Sequence, residues 1–205
     1  MTKRKVIISI IVFLILVIVI GGIFWWWQGR KIKGSPNDYV IKETSEGKIV
    51  ENKKAGLTVK VPEGWEISKM GTEEGIEEGA IVFYSPNTEI ELREGKKTLP
   101  LEIGCLIHLK LIYEKLNFSE IKIEARYTHS IWELKTEETE EFEETNINNY
   151  RALKNIFDTR ATGPGLGVYI HGSDKVYWLN LFWGPNEKEG CIQDFNKFLE
   201  TVTIK

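Results

Sequence analysis

The sequence predicts an α+β fold of mostly antiparallel strands with one or two packing helices, behind one N-terminal transmembrane helix. Three observations lead to this prediction. Several segments alternate apolar and polar residues, which is the period of a half-buried strand. Residues 192–202 instead place apolar side chains at the spacing of a helix. The N-terminus contains a long stretch without any charge.

Residues 6–27 form this uncharged stretch and are predicted to contact the membrane as an anchor. As a helix, its 22 residues would rise about 33 Å, against a hydrocarbon core of about 30 Å. A cleaved signal peptide would have a shorter apolar core of about 7–15 residues and a cleavage site between small residues. Basic residues flank both ends of the stretch. The predicted orientation therefore rests on the short basic tail, which is expected in the cytoplasm, with the C-terminal domain outside.

Charge divides the chain into two unlike parts. Residues 1–33 carry six basic side chains and no acidic one, so 21 basic and 30 acidic residues remain, a formal charge of −9. We interpret 1–33 as cytoplasmic tail, anchor and basic flank, 34–38 as a linker and 39–205 as one extracytoplasmic domain. An acidic domain argues against nucleic acid and anionic lipid surfaces as partners, because both are bound through Lys and Arg.

The elements of the domain follow in order. Strands are predicted within residues 39–50 and at 57–61, 65–70, 80–84, 105–113, 150–157, 168–171, 176–183 and 203–204. A helix is predicted where Ile192, Phe195, Leu199 and Val202 share a face. We expect an acidic loop at 71–79, a charged loop or strand start at 136–144 and a glycine turn at 162–167. Residues 118–135 fit either a helix or a strand.

Four short motifs resemble those of a known family. They are Val-Pro-Glu-Gly-Trp at 61–65, Asn-Tyr-Arg-Ala-Leu at 149–153, Lys-Val-Tyr-Trp-Leu at 175–179 and Phe-Leu-Glu-Thr-Val at 198–202. In this pattern residues 39–205 resemble the PsbP-like family, named for an extrinsic subunit of photosystem II, in its bacterial membrane-anchored form. The resemblance implies an αβα-type sandwich with a mainly antiparallel sheet, and it favours a helix at 118–135. It implies little about activity, because one fold hosts many functions.

Cysteine and histidine are the residue types that most often carry chemistry, and both are few. A disulfide between Cys105 and Cys191 is permitted outside the membrane, and two buried apolar thiols are the alternative. His108 is expected to face solvent, because its neighbours on the strand are apolar. His129 and Glu133 would lie one helical turn apart, but a metal site needs further ligands, so no metal site is predicted.

The remaining motifs predict no catalytic residue and no cofactor. The acidic runs at 73–78 and 137–144 lack the spacing of a calcium loop and are interpreted as solvated surface. The glycines at 163–167 lack the lysine of a phosphate loop. Five aromatic residues on the last predicted hairpin are interpreted as core, and an aromatic ligand surface is the alternative. They are Tyr169, Tyr177, Trp178, Phe182 and Trp183.

These features lead to one functional expectation and two alternatives. The leading hypothesis is a non-enzymatic, membrane-anchored extracytoplasmic module that binds an unknown protein partner or assists envelope assembly. The first alternative is a small-ligand-binding or enzymatic domain that uses the Trp/Tyr cluster. The second is a calcium-binding domain with ligands from the acidic runs.

Overall fold

The structure, a computed structural model, describes residues 34–70, 80–93, 96–131 and 141–205. They belong to one compact unit, Lys33–Lys205. The predicted anchor at 6–27 and the predicted loop at 71–79 lie outside the described residues. Within the described part of the chain, none of the helices combines the length and the apolar character needed to cross a membrane.

The described residues form thirteen strands, two α-helices and a short 3₁₀ turn at Pro36–Asp38. The first strands are β1 (Tyr39–Thr44), β2 (Gly47–Asn52), β3 (Leu57–Lys60), β4 (Glu66–Met70), β5 (Ala80–Tyr84), β6 (Glu89–Arg93), β7 (Lys96–Ile103) and β8 (Cys105–Ile112). Helix α1 (Phe118–Ile131), β9 (Glu143–Ile147), β10 (Tyr150–Thr159), β11 (Gly163–His171), β12 (Val176–Trp183), helix α2 (Lys188–Glu200) and β13 (Thr203–Ile204) follow.

The strands form three sheets in which every described pair is antiparallel. The largest has the order β4-β5-β8-β12-β11-β10-β9, a second has the order β1-β2-β3-β13, and β6 pairs with β7. This confirms the α+β class with a mainly antiparallel sheet. Strand β12 lies at the centre of the large sheet, and all eight of its residues are buried.

The two helices pack on opposite faces of the large sheet. Tyr177 and Leu179 of β12 belong to the same apolar cluster as Phe195 of α2. Trp178, which points to the other face, belongs to a second cluster with Ile121 of α1. Because successive residues of a strand alternate between its faces, a β12 that is buried along its whole length requires a cover on each side.

Helix α2 and the four-stranded sheet cover the first face together. Phe198 of α2 packs edge-on against Phe83 of β5, with 5.1 Å between the ring centroids. The same cluster contains Tyr39, Val50 and Leu57 of the four-stranded sheet. The predicted C-terminal helix and the short closing strand are both confirmed.

The stretch that fitted either a helix or a strand is a helix over its described part, Phe118–Ile131. A strand would place Ile121, Ile123, Ala125 and Tyr127 on one face. The structure instead buries Ile121 and Ala125, while Ile123 is 65% and Tyr127 62% exposed. This separation follows the helical period of 3.6 residues.

The β9–β10 hairpin turns through two asparagines. Asn148 and Asn149 have positive φ angles of 47° and 71°, which asparagine tolerates better than most residues. The Asn148 amide also donates to the backbone oxygens of Leu199 and Val202, at 2.9 and 2.8 Å. The turn thereby satisfies carbonyl groups at the C-terminal end of α2.

The prediction that His108 faces solvent was wrong, because it is only 8% exposed. The cause is the β6–β7 hairpin, which sequence analysis did not identify. Its Leu101 joins a cluster with Val82 and Leu106, the side of β8 to which His108 also points. No strand was predicted at 89–100, where Ile90 and Leu92 alternate with charged residues within a highly charged stretch.

The predicted glycine turn at 162–167 was also wrong, since Gly163, Gly165 and Gly167 lie in strand β11. The predicted strand within 39–50 is likewise two strands, β1 and β2. In β11 the glycines make room for larger side chains. A Cβ atom at Gly167 would meet the Tyr169 hydroxyl and lie 2.6 Å from Asn155 Oδ1.

A disulfide between Cys105 and Cys191 joins the first residue of β8 to helix α2. Both residues are buried, with 6% and 0% of their surface exposed. The bridge therefore attaches α2 to the central part of the large sheet by a covalent bond, in addition to the packing of its phenylalanines.

We predict that Gly167→Ala lowers the free energy of unfolding by about 1–3 kcal/mol, because the new methyl group collides with two buried side chains. Gly190→Ala is the matched control. Gly190 lies in α2 with no atom within 4 Å of the position a Cβ would take. It should raise stability by up to about 1 kcal/mol through helix propensity. Urea unfolding checks both, and equal midpoints would contradict the prediction.

We predict that the disulfide protects both thiols from alkylation until a reductant is added, as mass spectrometry would show. It closes a loop with a sequence separation of 86. Replacing both cysteines by alanine should therefore cost about 4–5 kcal/mol of stability. Under reducing conditions the natural chain should approach the stability of this variant. Alkylation of either thiol without reductant would contradict the bond.

Candidate functional site

An open cleft of about 570 Å³ lies beside the start of helix α1. Three polypeptide segments contribute to it: the connection from β8 into α1, the beginning of β10 and the end of β11. The lining residues are Lys115, Leu116, Asn117, Phe118, Glu120, Arg151 and His171. Since β10 and β11 are paired neighbours in the sheet, Arg151 and His171 are brought to the same end of it.

The N-terminus of α1 is capped by its own side chains. Asn117 Oδ1 accepts from the backbone N–H groups of Ser119 and Glu120, at 2.9 and 3.0 Å. Glu120 Oε2 accepts in return from the Asn117 N–H at 2.7 Å. This is a capping box, with asparagine in place of serine or threonine. Because these backbone donors are satisfied, the chemistry of the cleft comes from its side chains.

Phe118 organises the cationic side of the cleft. The Arg151 guanidinium lies 4.5 Å from the centre of the Phe118 ring, and the His171 ring meets it edge-on at 5.8 Å. Arg151 Nη2 also donates to Glu144 Oε2 at 3.1 Å. Both partners of this ion pair are more than half exposed, so it contributes under about 1 kcal/mol to stability and mainly orients the guanidinium.

The other polar side chains of the cleft have fewer contacts. Lys115 is exposed, and its ammonium makes no ion pair with another described residue. Among the described residues, His171 contacts the Phe118 ring but makes no side-chain hydrogen bond. Glu120 is held by the capping box. The cleft is thus lined by Lys115, Arg151 and His171 and by one carboxylate, Glu120, which already has a partner.

The other histidines lie away from the cleft. His129 is fully buried and stacks on Phe157 with 4.1 Å between the ring centroids. Its proposed companion Glu133 lies outside the described residues, as do the acidic residues at 73–78 and 137–140. In the parts of the chain that the structure describes, no three His, Cys, Asp or Glu residues are grouped as a metal ion would require.

The aromatic hairpin is core packing. Its five aromatic residues are at most 5% exposed. Trp178 Nε1 donates to Asn180 Oδ1 at 2.9 Å, and the Tyr169 hydroxyl donates to Asn155 Oδ1 at 3.0 Å. Burial and satisfied polar groups leave no aromatic surface at this hairpin for a ligand.

A stripe of exposed apolar residues runs along α1, away from the cleft. Ile123, Tyr127 and Ile131 are 65%, 62% and 61% exposed. Their spacing of four residues places them on neighbouring turns of one helix face. Sequence analysis missed this stripe because the same residues also fitted the alternation of a strand, in which they would have been counted as core.

A second polar cluster lies where β1 meets the end of β8 and the start of β12. The Tyr177 hydroxyl donates to the Ala55 carbonyl at 2.6 Å. Burial, followed by the charge of Tyr113, raises the pKa of Tyr39 far above the ordinary 10.0. Burial followed by Asp174 raises the pKa of Tyr177, and burial followed by Asp38 raises the pKa of Tyr113. These phenols therefore stay protonated in the folded protein.

The raised phenol pKa values predict a loss of stability at alkaline pH. Below pH 10 the folded and unfolded chains both keep these protons, and the stability is complete. Above it the unfolded chain releases them first, so the fully buried Tyr39 phenol lowers the free energy of unfolding by up to about 1.4 kcal/mol per pH unit.

Urea unfolding across this pH range, with Tyr39→Phe and Tyr127→Phe compared, provides the test. Tyr39→Phe should flatten the alkaline decline, whereas the exposed Tyr127→Phe should leave it unchanged. The same decline in both variants would contradict the assignment.

Comparison with known proteins bears on the fold. No protein-family model matches the chain, and neither does any curated protein. The structure is similar to the solution structure of cyanobacterial PsbP (CyanoP) from Synechocystis sp. PCC 6803. The TM-score is 0.44 and the sequence identity 11%, over 82% of this chain and 92% of that chain. No function follows from this similarity.

Proposed function

We propose that this chain is a non-enzymatic, membrane-anchored extracytoplasmic module that binds a protein partner through the outer face of helix α1. The observation that carries the proposal is the stripe of Ile123, Tyr127 and Ile131, each more than 60% exposed. The anchor at residues 6–27 and the outward orientation of the domain come from the sequence pattern.

Single exposed apolar residues are common on soluble domains, but an ordered row is not. Three large apolar side chains on successive turns form a ridge about 12 Å long. Such i, i+4, i+8 rows are how amphipathic helices engage apolar grooves and ridges of other proteins. Transferring this ridge from water into an interface would contribute about 25 cal/mol for each Å² of apolar surface removed from water.

The charges beside the stripe specify the partner further. Glu124 is exposed on one side and makes no ion pair with another described residue. On the other side, the Arg126 guanidinium lies 5.4 Å from the centre of the Phe142 ring. A matching partner therefore presents an apolar groove with a basic side chain opposite Glu124. This arrangement of opposite charges sets its orientation more than its affinity.

The packing of the domain supports binding over catalysis. The aromatic residues that an enzymatic or small-ligand alternative would use are all in the core.

The proposal predicts a contact at Tyr127 that depends on the stripe. A photo-crosslinking amino acid is placed at position 127 of the full chain in its native membranes. We expect one discrete adduct with a different protein, which disappears when Ile123 and Ile131 are both replaced by serine. The same amino acid at Asn196, an exposed position of α2 on the opposite face of the sheet, is the matched control.

The serine variant should unfold within a few degrees of the natural chain, because both isoleucines are on the surface. Adducts that survive the serine substitutions, or that form equally from position 196, would contradict docking on α1. An adduct with twice the mass of the chain would identify a second copy as the occupant and would also overturn the proposed partner.

A further inference from the structure

We infer that the cleft at the start of α1 binds a carboxylate attached to an apolar or aromatic group. This ligand contacts residues other than the stripe, so the inference can stand or fall separately from the proposed function. The carboxylate could belong to a free acid or to the protein docked along α1, and the chemistry of recognition is the same for both.

Arg151 supplies the main recognition element. A guanidinium has five N–H donors in a fixed plane, and the described hydrogen bond to Glu144 uses one of them. Contact with the Phe118 ring at 4.5 Å holds that plane in one orientation. An oriented guanidinium suits a carboxylate because two parallel N–H groups can donate to its two oxygens.

Lys115 and His171 add donors from two other elements. Lys115 precedes α1, and His171 is the last residue of β11, where its ring rests against the Phe118 edge. Neither side chain has a hydrogen-bonding partner among the described residues. Three nitrogen-bearing groups from separate elements therefore line one cleft, within a domain whose overall charge is negative.

The apolar part of the ligand is specified by Leu116 and Phe118, which line the same cleft. The volume of about 570 Å³ lies within the range of about 300–1,000 Å³ found for small-ligand sites. A group of the size of a benzene ring would contact both side chains while its carboxylate reaches Arg151.

Two carboxylates near the cleft affect how tightly it can bind an anion. Glu120 is held by the Asn117 N–H and does not oppose a ligand directly. Glu144 shares the Arg151 guanidinium, so a bound carboxylate must share or replace this bond. Removing the Glu144 charge should therefore strengthen binding, which a merely structural role for the Arg151–Glu144 pair would not predict.

The test uses the full chain in detergent, with labelled histidines observed by NMR, and benzoate as the probe. Benzoate should shift the His171 signal saturably and leave the buried His108 and His129 unshifted. Benzamide, which has the same ring and no charge, should have little effect. Arg151→Gln should weaken benzoate binding roughly tenfold or more, and Glu144→Gln should tighten it.

Arg160→Gln is the matched control, because Arg160 is exposed just beyond the other end of β10 and does not line the cleft. Each variant is first shown to unfold at the natural temperature. Equal shifts with benzamide, unchanged binding in Arg151→Gln, or equal losses in both arginine variants would overturn the inference.

One further arm identifies the source of the carboxylate. If it belongs to the docked protein, benzoate should suppress the crosslink from position 127. If it belongs to a free acid, the crosslink should persist while His171 still responds. Failure of the crosslink with an intact benzoate response would refute the proposed function alone.

Discussion

The structure depends on strand β12, which has no face that can meet water. All eight of its residues are buried, at the centre of a seven-stranded antiparallel sheet. A sheet with one solvated face would need only one cover, whereas this one needs two. Helix α2 with the small sheet covers one face, and helix α1 with the β6–β7 hairpin covers the other. The two helices, the four-stranded sheet and the β6–β7 hairpin meet this requirement.

The two covers are built differently. Helix α2 contributes three large apolar side chains and Cys191 to its cluster, and the disulfide attaches it to β8. Helix α1 buries Ile121, Ala125, Thr128 and His129, of which only Ile121 is a large aliphatic residue. The inner face of α1 is thus modest, while its outer face carries larger apolar side chains than its packing requires. A helix that packs on a core normally buries its largest apolar side chains, so the stability of the isolated domain does not explain why α1 exposes them.

Sequence analysis predicted what depends on local periodicity. The five aromatic residues of the last hairpin were interpreted as core from their sequence, and all five are buried. The predictions failed where a distant segment changes the surroundings of a residue. His108 is buried by a hairpin whose own sequence is charged. The glycines of β11 make room for the side chains of Asn155 and Tyr169 and do not form a turn. The cleft could not be predicted from the sequence, because Lys115, Arg151 and His171 belong to three separate segments. Arg151 and His171 come together only when β10 and β11 pair.

The cleft and the stripe occupy the same helix for a physical reason. The capping box holds the first turn of α1, so Phe118 and its contacts with Arg151 and His171 are set at the point where the helix begins. From there each turn advances about 5.4 Å and presents one further exposed apolar residue. A protein lying along α1 would meet an oriented cationic group first and an apolar ridge after it. Charge at one end and apolar surface along the rest distinguish the two directions of binding, so one short helix is sufficient to select both a partner and its orientation.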